Sequence, residues 1–390
     1  MKVTQVYEIL NTITKEMLGD SVIVAEDLSN VVDVGKAFEN LENGFDNYVR
    51  RLNDHIGRVV FVDRVYAGRA PSVLMDGGWE YGSILEKIRA DLPEATENES
   101  WELEDGASYD PNIFYKPSVS VKFFNKRITF EIPVSITEKQ VKSAFSNGTQ
   151  LNAFFSMIQT AIENSMTVKL DSLIMRTINT AIAETLYDAF PGGVYSGGSG
   201  TRAVNLLYLY NQKVGAGNSI TADEAYTHAD FLRFASYTIK NYIGYMHDMS
   251  TLFNIGGTEK FTPDDRMKIV MLNQFKNGAE VYLYDGLNQF KDEGIRFPQV
   301  DGVSYWQGSG TDLALDSVSA INVVTPSGHN VSTSGILACI FDRDCLGVSN
   351  VDRRVTTHYN AKAEFWNSWN KYDVGYFCDF DENCVVFFIA

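Results

Sequence analysis

The chain has 390 residues, with 33 Lys or Arg against 50 Asp or Glu, a formal net charge of −17. That balance works against a non-specific grip on nucleic acid, which needs clustered cations. At 45% hydrophobic and 21% charged residues the composition is globular, and the length passes the roughly 250–300 residues beyond which single cores divide into lobes. Apolar runs such as Val385–Ala390 fall far short of the about 20 residues a membrane-spanning helix needs. Met1-Lys2-Val3-Thr4-Gln5 lacks the apolar region of a secretory signal, so synthesis in the cytosol is expected.

Residues 1 to 57 are mixed, and Val31, Val34, Phe38 and Leu41 share one helical face, which predicts a helical arm. Val59 to Tyr66 is β-branched and aromatic and predicts a strand, broken by Gly68, Pro71, Gly77 and Gly78. Glu86 to Asp110 carries a local net charge of −7 and Lys116 to Lys142 one of +4. Strand character returns where Val119, Val121 and Phe123 alternate with Ser120 and Lys122. Two strands are therefore expected to flank a long acidic excursion, a feature that in a compact protein usually has a job.

Thr149 to about Asp188 holds the clearest element. Leu151, Phe154, Phe155, Ile158, Ile162, Met166, Leu170, Leu173, Ile178 and Ile182 recur at helical steps between a Thr149 cap and Pro191-Gly192-Gly193. One helix of up to about 60 Å, or two with a bend, is expected. No sustained heptad marks a coiled coil.

Gly192 to Gly200 reads as a flexible link, followed by a strand at Val204 to Tyr210 and a capping box at Thr221-Ala222-Asp223-Glu224. A helix from near Asp230 carries Phe231, Phe234, Ile239 and Tyr242. Strands are expected at Arg266–Leu272, Ile336–Phe341, Arg353–Tyr359 and Val385–Ile389, with turns at Gly347 and at Asp381-Glu382-Asn383. The layout is mixed α+β without regular β-α-β alternation, which argues against a doubly wound sheet or a TIM barrel.

Little points to chemistry. Cys339, Cys345, Cys378 and Cys384 lack the spacing of a zinc or redox pair and read as reduced, packed thiols. His55, His228, His247, His329 and His358 are scattered, and no hydrolase, metalloprotease or phosphate-loop motif is present. No metal or cofactor is implied. Glu102 and Glu104 near Trp101 and Trp79 resemble a carboxylate pair beside sugar-stacking rings, but nothing nearby promises the burial that would raise one pKa. A solvated or partner-facing loop is the stronger reading.

The order of elements resembles the HK97-like fold of tailed-phage major capsid proteins, and within it the phi29-type podovirus proteins. The residues that carry it are Ile56-Gly57-Arg58-Val59-Val60 and Gly78-Trp79-Glu80-Tyr81-Gly82-Ser83-Ile84-Leu85-Glu86-Lys87-Ile88 with Asp91 beyond. Pro117-Ser118-Val119 to Ile128 and Phe130 follow, then Phe154-Phe155-Ser156-Met157-Ile158 with Ile162-Glu163-Asn164-Ser165. Near the end come Ile340-Phe341-Asp342-Arg343-Asp344 and Tyr359 to Trp369.

The resemblance implies an α+β capsid fold with an N-terminal arm at 1–57, an extended two-stranded loop at 58–133 and a peripheral domain with the spine helix at 134–200. An axial domain at 201–344 and returning peripheral strands at 345–390 complete it. It implies a non-enzymatic subunit of the icosahedral or prolate shell around a double-stranded DNA genome, located in the virion and assembled in the host bacterial cytoplasm. Its partners would be further copies of itself in hexamers and pentamers, a separate scaffolding protein and a portal. Packaged DNA would be near by proximity only, and no membrane is involved. No C-terminal immunoglobulin-like domain is expected, and nothing suggests a lysine–asparagine crosslink. An encapsulin-type compartment shell shares this fold and stands as the alternative, with a carbohydrate-active enzyme behind it.

Inter-subunit contacts are expected at Trp79, Glu94, Glu97, Glu99, Trp101, Glu102, Glu104, Ile113 and Phe114 on the loop. The complementary basic residues are Lys116, Lys122, Lys126 and Arg127, and the helix core is Leu151, Phe154, Ile158, Ile162, Leu173 and Ile182.

Overall fold

The computed structural model describes residues 3–18, 33–34, 36–37, 71, 74–75, 84–93, 95, 103–107, 110–139, 148–283, 300–306 and 318–390. The expected strand at Val59–Tyr66 lies outside them. Of the N-terminal arm, α1 (Val3–Leu18) is helical and buries Ile13, and Val34 is buried in a further helical fragment.

The frame is α2 (Gly148–Ala189), a helix of 42 residues and hence about 63 Å. It holds no Gly or Pro between Thr149 and Ala189, so nothing interrupts its hydrogen-bond ladder. It stops where Gly193, at φ +69°, donates to the Phe190 carbonyl at 2.9 Å. Ile162, Leu173 and Ile182 are buried as expected, with Met166, Leu170, Ile174 and Ile178, while Ile158 is partly buried. Leu151 and Phe154 are within the helix, but their side chains lie outside the described residues. Burial on several faces would strand the hydroxyls of Thr177 and Thr185, and each donates instead to the carbonyl four residues earlier at 2.8 Å.

Two sheets pack against this helix. The first has the order β1 (Leu74–Met75), β11 (Leu346–Asn360), β12 (Phe365–Cys378), β4 (Arg127–Thr137). Pro133 lies opposite Trp369 on β4, an edge strand, where its missing N–H removes no ladder bond on the open side. The second sheet has the order β5 (Ala203–Asn205), β13 (Cys384–Phe388), β10 (Ile336–Asp342), β6 (Met267–Leu272), β7 (Val300–Val303). One face of β10 and β13, with Cys339, Phe341, Val386 and Phe388, joins the core around α2. The other, with Leu337, Ile340, Val385 and Phe387, is covered by α3 (Leu206–Val214) and α5 (Ala229–His247). Two covered faces explain why β10 and β13 are continuously apolar instead of alternating.

Smaller elements complete the described chain: α4 (Ala222–Ala225), α6 (Asn273–Leu283) and the hairpins β2 (Leu85–Ala90) with β3 (Val119–Phe124) and β8 (Ile321–Val324) with β9 (Asn330–Thr333). Among the described residues no helix is long and apolar enough to cross a membrane.

Several local expectations are corrected. The start of what the charge pattern marked as the acidic excursion is a strand, β2. Val204 to Tyr210 is a three-residue strand followed by a helix, because Asn205 accepts from Tyr208 N–H at 3.1 Å and caps α3. Gly192–Gly200 is pinned: Tyr195 packs edge-on against Phe190 and Phe388, and its carbonyl accepts from Asn205 Nδ2 at 3.0 Å. The turn expected at Gly347 falls at Arg343–Cys345, where Asp342 Oδ1 accepts from Asp344 N–H at 2.9 Å. Gly347 lies within β11. β13 pairs with strands of the 201–344 region, and β4 runs unbroken through residue 133.

Ile182 has no exposed surface. An Ile182→Val subunit is expected to lose about 0.5 to 1.5 kcal/mol, read as a lower urea midpoint at unchanged slope. An unshifted midpoint would mean that the helix is not core at this position.

Candidate assembly ribbon and its anchorage

β2 and β3 form an isolated antiparallel ribbon whose two faces differ in character. Register pairs Lys87 with Lys122 and Ile88 with Val121. Lys87, Arg89 and Lys122 face the subunit body. The opposite face presents Ile88, Val119, Val121 and Phe123 to solvent, with Ile88 at 65% and Phe123 at 63% exposure. The apolar alternation in the sequence thus marks the outer face, not the inner one.

Two lysines directly opposite each other repel. Here three carboxylates of the turn between β12 and β13 lie beneath them. Lys87 Nζ is 2.7 Å from Asp379 and 2.6 Å from Glu382, and Lys122 Nζ is 2.9 Å from Asp379 and 2.6 Å from Asp381. Arg89 reaches Asp381 at 3.4 Å, and Lys260 closes the set on Glu382 at 2.8 Å. Burial pushes Asp379 and Glu382 up, but Lys87 acting on both, with Lys122 on Asp379 and Lys260 on Glu382, holds both carboxyls below their ordinary values. Burial likewise depresses Lys87, and the same two carboxylates outweigh it and raise the ammonium. At the root of the ribbon Phe124 packs on Phe377 with ring centroids 5.1 Å apart.

The loop candidates are placed only in part. Trp79, Glu94, Glu97, Glu99, Trp101 and Glu102 lie outside the described residues. Glu104 is exposed in a turn, and Ile113 and Phe114 are exposed on the strand-side limb, Phe114 at 84%. Lys116, Lys126 and Arg127 are exposed as well. Lys122 is corrected: it is engaged by its own chain's Asp379 and Asp381. The sequence reading missed Asp379, Asp381 and Glu382 as anchors. Their signal was available in three acids crowded into a turn between two apolar strands, which read only as turn chemistry.

The four cysteines are free thiols at the junction of α2 with both sheets. Cys339 Sγ and Cys384 Sγ are 3.8 Å apart, well beyond the about 2.05 Å of a bond. Burial pushes the Cys378 thiol up to about 12. Four titratable thiols in denaturant and unchanged stability under reductant are expected, whereas particles that dissolve on reduction would show a structural disulfide. Among the described residues no group of three or more His, Cys, Asp or Glu is placed to hold a metal ion.

Comparison with known proteins assigns this arrangement. The family model of the Phi29-like phage major capsid protein matches residues 10–388. The chain belongs to that family. It is 27% identical over 205 residues to the major capsid protein of Bacillus phage GA-1, a match covering 49% of this chain and 40% of that one. Among solved structures, the capsid of Staphylococcus phage Andhra aligns over 84% of this chain and 87% of the other at 12% identity and a TM-score of 0.51. A chain in a structure of head fiber and inner core protein of bacteriophage P68 aligns over the same shares at 9% identity and a TM-score of 0.48. The fold is therefore the α+β, HK97-like fold of phage capsid chains.

Proposed function

We infer that the chain is a subunit that self-assembles into the shell of a tailed-phage virion and performs no catalytic step of its own. The observation that carries this is the ribbon. One face is fastened to the subunit by ion pairs, while the other offers a strip of Ile88, Val119, Val121 and Phe123 that the described chain leaves uncovered. Apolar strips of this kind are stabilised by burial against a partner. A second copy in a symmetric ring supplies that partner many times over.

The family match supports a genome-enclosing shell over a compartment shell. The glycoside-cleaving reading loses its footing because Glu104 is exposed in a surface turn, not set in an enclosed site. Hexamers and pentamers, a separate scaffolding protein, a portal and assembly in the host cytoplasm belong to the same proposal. A net charge of −17 keeps the genome from adhering to such a wall. Electron microscopy of the expressed chain, alone and with the product of a neighbouring scaffolding gene, tests it. Closed shells or regular capsomers are expected, and a monomer under both conditions would overturn the reading.

A further inference from the structure

Beside the root of the ribbon, where β3 passes into β4, a pocket of about 140 Å³ opens between the ribbon, α2 and β12. Phe124, Tyr376, Phe377 and Phe380 form its walls, and Lys126 and Arg176 stand at its edge. Among the described residues no Asp or Glu lines it. The Arg176 guanidinium sits 5.3 Å over the Tyr376 ring, and the Lys126 backbone is fixed beside the same residue, its carbonyl accepting from Tyr376 N–H at 3.1 Å. Among the described residues neither cation is in an ion pair, unlike Lys87 and Lys122 farther along the ribbon. Arg176 was not among the basic residues expected from sequence, because it lies on the helix and not in the loop.

An aromatic cup with two cations and no acid selects an apolar side chain flanked by carboxylates. The chain carries such a segment in the turn Leu103-Glu104-Asp105-Gly106, where Leu103 is 61% exposed and both acids are exposed. Gly106 at φ +87° and the Ala107 N–H to Glu104 carbonyl bond of 3.2 Å tighten the turn and present its side chains outward. A cavity of about 150 Å³ accommodates a benzene-sized group, so one leucine side chain suits this one. Within the described chain the turn does not fill this pocket, whose lining includes none of Leu103, Glu104 and Asp105.

We propose that the pocket receives the Leu103–Asp105 turn of a second copy of the chain, with Leu103 between the rings and the two carboxylates at Lys126 and Arg176. The contact is head-to-tail, so each subunit in a ring gives one turn and accepts one. It rests on the reading of the chain as a shell subunit and names the acceptor that this reading leaves open.

The test is charge exchange in the full chain. Lys126→Glu with Arg176→Glu is expected to lower the yield of shells about tenfold or more, while circular dichroism and thermal melting stay at wild-type values. Adding Glu104→Arg and Asp105→Arg to the same chain should restore shells. If the reversed pair destabilises the fold, Lys126→Gln with Arg176→Gln takes its place. Normal shell yield from a folded pocket variant, or no recovery in the exchanged chain, overturns the pocket and leaves the shell reading intact. If the wild-type chain forms no shells, the shell reading fails on its own. The pocket is then judged by fluorescence polarisation of a labelled peptide covering residues 101–107 on the full chain. Binding lost in Arg176→Gln supports it, and no binding overturns it.

Discussion

Asp379→Ala should lower the stability of the subunit by about 3 kcal/mol and open the ribbon to protease. The Asp379 side chain is 3% exposed and is the common counter-ion of Lys87 and Lys122, which stand opposite each other across the ribbon. Removing it leaves two ammonium groups facing each other with one carboxylate fewer. Breaking a buried pair by deleting one partner costs about 3 to 5 kcal/mol. The lower end applies because Lys87 keeps Glu382, Lys122 keeps Asp381 and both lysines retain some contact with water. Asp379→Asn, which keeps the shape and one acceptor, should cost less.

The pH dependence follows from the same groups. Asp379 and Glu382 are held below their ordinary values of 3.8 and 4.5, so their contribution is complete above those values and is lost as pH falls through the lowered ones. Lys87 is raised above 10.5, so its share is complete below that value and is lost as pH rises through the raised one. The ribbon should stay fastened from about pH 5 to 10 and loosen in acid before the core melts. Urea midpoints and limited proteolysis of wild type and Asp379→Ala measure both effects. Equal midpoints with equal cleavage would show that the ion pairs do not hold the ribbon.

What could be read from the sequence follows the physics of each element. The helix α2 was legible because an uninterrupted helical period needs only local information, and its lack of Gly and Pro allowed no break. The strands β10 and β13 were legible as apolar runs, but their covering on both faces depends on partners distant in sequence. Val204–Tyr210 failed because a short apolar run fits strand and helix alike, and one capping side chain, Asn205, decided it. Among the site residues, charge statistics located a basic stretch but could not distinguish Lys122, consumed within the subunit, from Lys126, left at a pocket edge. That difference is set by the pairing of β3, which turns Lys122 toward the acidic turn and leaves Lys126 in the link between β3 and β4. Arg176 was invisible for the same reason: its neighbours Tyr376 and Lys126 are about 200 and 50 residues away along the chain.

Replacing Leu92–Asp110 with a short Gly-Ser turn should leave a folded monomer that forms no shells. The segment contains seven acids and no base. Its described residues are all exposed, and the described backbone bond within it, Ala107 to Glu104, is local. Asp91 is retained because it closes the ribbon: its carboxylate accepts from the Ser118 hydroxyl at 2.6 Å and its N–H donates to the Ser118 carbonyl at 3.0 Å. The body should therefore melt close to wild type, since little buried surface is lost. Assembly is different, because a contact repeated at every subunit is lost everywhere at once. Exposed charge pairs contribute only about 0.2 to 1 kcal/mol each and mainly set encounter rate and register. High salt should accordingly slow assembly of the intact chain without abolishing it, while the shortened chain stays monomeric at any salt. Light scattering and electron microscopy distinguish the two cases. Normal particles from the shortened chain would remove the loop from the interface, and an unfolded product would place it in the subunit's own core.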